Sequence, residues 1–117
     1  MYTEKDNKTV NVLGTNYTIR FVPEEELEEL GADGATDYSI KEIRVGIFIP
    51  QKCSQAELGV YQKKVIKHEL IHAFLYESGL VECSGSTNSW ANNETMVDWF
   101  AYQHDKLHAT FEKAGAL

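Results

Sequence analysis

His68 and His72 stand four residues apart in the stretch KHELIHAF, with Glu69 directly after the first. On a helix, residues at i and i+4 project from one face, so two imidazoles in this spacing can converge on one metal ion. Glu69 is displaced by one residue, where its carboxylate can reach a water in the remaining coordination position and act as general base. Zinc suits such a set: a water bound to it ionises near pH ~7 and becomes a nucleophile under mild conditions.

A working site of this kind also needs a third ligand and a group that orients the imidazoles. The stretch SWANNETMVDWFAYQ offers both. Glu94, at the start of a second predicted helix, completes a His, His, Glu set. Asp98 follows one helical turn later on the same face, placed to accept the free ring N–H of a ligand histidine and fix its tautomer. Tyr38, Tyr76 and Tyr102 each carry a hydroxyl able to donate to the oxyanion of an attacked peptide, and nothing in the sequence chooses among them. His104 and His108 are also spaced i, i+4, but only Asp105 accompanies them, and they read as core-edge and surface residues.

The elements that must position these side chains follow from the apolar pattern. Val10 and Val12, then Tyr17, Ile19 and Phe21, alternate around Gly14-Thr15-Asn16, which predicts an antiparallel hairpin. PEEELEEL predicts a short helix opened by Pro23 and ended by Gly31. GADGATDYS reads as a turn-rich loop, and residues 42–49 as a half-buried strand closed by Pro50. A long helix is expected from a Ser54 cap through the histidine motif to Gly79.

Residues 79–91 read as an irregular loop. Beyond it a second helix is expected near Asn92 or Asn93, with a core face of Val97, Phe100, Ala101, His104, Leu107, His108 and Phe111. On the first long helix the stripe of His68, Glu69, His72 and Tyr76 is the polar exception among apolar neighbours, so it must face a cleft or a set of partners. The expected fold class is α+β, with a small antiparallel sheet packed on the histidine helix and on the helix that carries the third ligand.

Composition narrows the functional classes. With 117 residues, residues 1–117 are expected to form one domain able to bury its own core. A net charge of −7, from 11 basic and 18 acidic residues, speaks against nucleic acid or an anionic membrane as partner. Lys63, Lys64 and Lys67 form the one local basic cluster and read as a solvated helix face. No stretch approaches the ~18 apolar residues of a membrane span, and MYTEKDNKTV lacks the order of a signal peptide, so a cytoplasmic location is expected. Cys53 and Cys83 have neither disulfide nor metal spacing and read as ordinary thiols.

HELIH followed by NETMVD resembles the gluzincin metallopeptidases typified by thermolysin, whose second motif is Asn-Glu-x-x-x-Asp. The resemblance implies a minimal zincin fold and a zinc-dependent endopeptidase, with His68, His72 and Glu94 as ligands, Glu69 as base and Asp98 behind the ligands. The run ETMVDWFA is similar to the Glu-x-x-Ala-Asn-x-Phe-Ala pattern of ImmA/IrrE-type metallopeptidases of phages and mobile elements, with Val97 and Asp98 departing from it. In zincin folds the substrate is laid along a sheet edge above the metal, which makes residues 42–49 the expected peptide-binding strand. The implied partner is a protein or peptide substrate, and a chain this short, with little room for deep subsites, leaves recruitment of that target to another protein.

HELIHAFLY also resembles the SprT/Spartan proteases, whose third ligand is a histidine, and there His104 takes the place of Glu94. The acidic charge counts against such a DNA-bound protease. A metzincin is excluded, because Leu75 and Ser78 occupy the positions of its glycine and third histidine. A competing class is a non-catalytic protein that keeps the metal helix for stability or partner binding; retention of Glu69 favours an enzyme.

Overall fold

A computed structural model describes residues 1–51, 56–85 and 90–117. It has the expected α+β character, built on a four-stranded sheet of order β1-β2-β4-β3. Strands β1 (Lys8–Val12) and β2 (Thr15–Pro23) form the antiparallel hairpin. The turn lies at Leu13 and Gly14, one residue earlier than the sequence pattern indicates, and both residues have positive φ, as a two-residue turn matched to strand twist requires. Asn11 holds it, its side-chain oxygen accepting from the Gly14 amide at 3.0 Å.

After β2 the acidic segment Glu24–Leu30 winds as a 3-10 helix that Gly31 closes in the left-handed conformation. The next segment departs from expectation. Within GADGATDYS, residues Gly34–Asp37 form strand β3, antiparallel to β4 (Glu42–Ile47). The run is four residues long and flanked by turn residues, too short for its alternation to stand out. Strand β4 pairs with β2 in parallel, so the sheet is mixed. It therefore lies inside the sheet with neighbours on both sides, and β3 takes the edge that the sequence assigned to residues 42–49. The strand also ends at Ile47, leaving Ile49 exposed.

The core lies between one sheet face and helix α1 (Leu58–Glu77). Val12, Tyr17, Ile19, Phe21, Ile43 and Val45 from the strands meet Val65 and Ala73 of the helix. Each large side chain buried there contributes about 1.5–3 kcal/mol. Ser54, the expected cap, and Cys53 lie outside the described residues; Glu57 caps the first turn through the Gly59 amide at 2.8 Å. Gly34 lets β3 approach α1 closely, since a β-carbon there would stand 2.7 Å from Val65 Cγ1 and 3.1 Å from Glu69 Cγ.

Residues 79–91, expected to be irregular, include a short helix α2 (Leu80–Cys83) and the start of a 3-10 turn at Trp90–Asn92. Helix α3 (Glu94–Lys113) then starts at the expected place, with the Asn93 side chain capping the Met96 amide at 2.9 Å. Its core face is shorter than its pattern suggests. Val97 and Ala101 are buried, whereas Phe100, His104, His108 and Phe111 are exposed, because α3 meets the body of the protein along its first turns. Among the described residues no helix is long and apolar enough to cross a membrane.

Candidate metal centre

Helices α1 and α3 run past each other in opposite directions, so their i, i+4 pairs meet in reverse order. Glu94 faces His72, Asp98 faces His68, and one turn further Tyr102 faces Lys64, whose Nζ stands 4.2 Å from the ring centre. Two sequence-distant motifs are thereby joined at one place. His72 Nε2 lies 3.1 Å from His68 Nε2 and 2.7 Å from Glu94 Oε1, and His68 Nε2 lies 3.0 Å from Glu94 Oε2.

His68, His72 and Glu94 could hold a metal ion, each offering one ligand atom, all within 4.8 Å of one another. A tetrahedral ion with bonds of about 2.0–2.1 Å sets its ligand atoms about 3.3 Å apart, and the two imidazole Nε2 atoms, 3.1 Å apart, are already close to that spacing. The donor chemistry also fits. Asp98 Oδ1 sits 2.6 Å from His68 Nδ1, so the ring proton belongs on Nδ1 and the Nε2 lone pair is aimed at the cluster.

His72 is buried, and desolvation is the leading cause that holds its pKa below the usual histidine value, with the nearby His68 adding to it and Glu94 opposing. A neutral imidazole is the form that ligates a metal. Its Nδ1 is buried with no hydrogen-bond partner among the described residues.

Glu69 belongs to the same place without belonging to the ligand set. Its side chain is buried, its Oε1 accepts from Thr36 Oγ1 at 2.8 Å, and its Oε2 stands 3.8 Å from His68 Nε2. Burial pushes its carboxyl pKa up; Glu94 and Asp98 push the same way, while Thr36 and His68 oppose. Cavities flank it on two sides, one of about 260 Å³ reaching Thr36, Tyr38 and His72, the other of about 380 Å³ reaching Lys64, His68 and Tyr102.

The three tyrosines separate. Tyr38 lines the smaller cavity with Glu69, His72 and Glu94, and burial, reinforced by the Glu69 and Glu94 charges, pushes its hydroxyl up to about 12, so it remains a donor at neutral pH. Tyr76 stacks against it, ring centres 4.1 Å apart and ring planes nearly parallel. Tyr102 lines the larger cavity and is half exposed.

His104 is not brought to the cluster. It lines an apolar groove with Leu70, Phe74 and Phe100, apart from both cavities beside the ligands, and its nearest ionic partner is Asp105 at 3.1 Å. Nor do the lysines make a common patch, since Lys67 is paired with Asp105 at 3.1 Å and Lys64 rests on Tyr102.

Sequence reasoning missed Thr36 and Gly34, both on β3. The β-branched Thr36 two residues after Gly34 was the available hint, because strand alternation puts both on one face. No protein-family model, no curated protein and no solved structure gives a match to this chain.

Proposed function

We propose that this protein is a zinc-dependent endopeptidase of minimal gluzincin type, with His68, His72 and Glu94 holding the ion. The observation that carries the reading is Glu69, a buried carboxylate beside the three ligand groups yet outside their set. A metal-stabilised binding protein has no use for such a group, whereas hydrolysis does. An ion held by the three residues would polarise a water and bring its ionisation toward neutral pH.

The rest is done by the chain's own side chains. Glu69 takes a proton from the attacking water as its oxygen adds to the peptide carbonyl carbon. It then returns that proton to the departing amine nitrogen as the C–N bond breaks. Tyr38, protonated and lining the same cavity, is the favoured donor to the carbonyl oxygen. The outer edge of β3, unpaired among the described residues, is the one we assign to an extended peptide, because residues 42–47 lie inside the sheet.

The test is Glu69→Gln, which keeps the shape and removes the base. The variant should bind zinc and melt like the parent while cleaving an unfolded protein substrate at least ~10²-fold more slowly. Equal cleavage by parent and variant contradicts the mechanism.

A further inference from the structure

Glu69 has two carboxylate oxygens in two different surroundings. Oε1 is 2.8 Å from Thr36 Oγ1, and Oε2 turns toward His68 Nε2, which it approaches only to 3.8 Å. The carboxylate of Glu94, by contrast, comes within 2.7–3.0 Å of both Nε2 atoms. Thr36 Oγ1 also stands 3.2 Å from the Glu69 backbone oxygen. A hydroxyl has one proton, and the nearer, charged acceptor takes it. The bond spans two elements, tying the edge strand to the helix, and Gly34, two residues earlier on the same strand face, makes that approach sterically feasible.

We propose that Thr36 is a positioning residue for Glu69: its hydroxyl holds one carboxylate oxygen, so that the other faces the His68, His72 and Glu94 cluster without joining it. The inference rests on the hydrolytic reading above and deepens it. A carboxylate buried next to a cation has every electrostatic reason to become a further ligand. A base that did so would occupy the position the attacking water needs. The strand hydroxyl supplies the restraint that keeps Glu69 a base.

Cobalt(II) is a suitable probe, because its visible spectrum reports the number and kind of its ligands. Parent, Thr36→Val and Thr36→Ser are loaded with cobalt and compared, and Thr36→Val is repeated in a Glu69→Ala background. Valine keeps the branched shape that a strand position favours. The Thr36→Val spectrum should differ from the parent's, Thr36→Ser should match the parent, and without the Glu69 carboxylate the valine should make no difference. With a cleavable protein substrate, Thr36→Val should lower kcat at least 10-fold at unchanged KM, and Thr36→Ser should restore it.

A parental spectrum for Thr36→Val overturns the proposal whether or not cleavage is seen, and so does a change that persists without the Glu69 carboxylate. A Glu69-dependent spectral change in a protein that cleaves nothing supports the positioning role and removes the hydrolytic reading. A parent that binds no cobalt overturns both.

Discussion

Gln62 near the start of α1 and His72 toward its end are both buried, and their surroundings differ in kind. The Gln62 amide is saturated by main chain. Its oxygen accepts from the Tyr2 amide at 2.8 Å, and its nitrogen donates to the Tyr2 and Gly46 carbonyls at 3.0 Å each. His72 meets other titratable side chains instead, and its Nδ1 has no partner among the described residues. A buried polar group answered by backbone is a fastening; several that answer one another and keep unused valence make a site. The difference separates the two ends of a helix whose sequence looks polar at both.

That contrast can be broken at either end. At the fastening end, Gln62→Met keeps the length of the side chain and removes all three bonds, stranding main-chain groups. The loss of stability should lie toward the upper end of about 1–3 kcal/mol, read by urea unfolding, with metal affinity in the folded protein unchanged. At the site end the signs reverse. Asp98→Ala removes the partner of His68 Nδ1 and should lower metal affinity about 10- to 100-fold in chelator competition, with little effect on the melting of the metal-free chain. If Gln62→Met spares the fold, or Asp98→Ala spares the metal, the distinction fails.

A third place sharpens the comparison because it mixes both kinds. Glu77, in the last turn of α1, accepts from Tyr17 Oη at 2.6 Å, from Lys41 Nζ at 2.9 Å and from Thr15 Oγ1 at 3.1 Å. The Tyr17 hydroxyl, then Lys41 and Thr15, hold its pKa below the ordinary carboxylate value. Its stabilising contribution is therefore present above the unfolded value and is lost as pH falls through the folded one. Tyr17→Phe should cost about 1 kcal/mol at neutral pH, the smallest effect in the series, and the deficit should shrink in acid as the carboxylate is protonated in both proteins. A deficit that grows in acid contradicts the assignment.

The cluster of His68, His72 and Glu94 was legible because helix spacing is a strong constraint. Once His68 and His72 share a helix face, and Glu94 and Asp98 share another, one antiparallel packing satisfies both pairs. Two caps were legible for the same local reason, Asn93 and Gly31 acting where their residue types suggest, whereas α1 is capped by Glu57 and the expected Ser54 lies outside the described residues. What stayed hidden depends on neighbours distant in sequence. Strand β3 is four residues long and pairs along β4, a neighbour that its own residues do not announce, so the one hint at Thr36 was its β-branched side chain two residues after Gly34. The exposed far half of α3 shows the converse, since His104, His108 and Phe111 keep helical spacing and are nonetheless exposed. Periodicity says which residues share a face, and only packing says whether that face is covered.

The central claim is that His68, His72 and Glu94 together hold a metal ion, and metal binding by the purified chain tests it most directly. The protein is stripped with chelator, reloaded with zinc and assayed for bound metal beside His72→Ala, Glu94→Ala and His104→Ala. One equivalent should bind to the parent and to His104→Ala, while His72→Ala and Glu94→Ala should lose more affinity than Asp98→Ala does. Parental zinc binding by Glu94→Ala, or its loss in His104→Ala alone, would contradict the account.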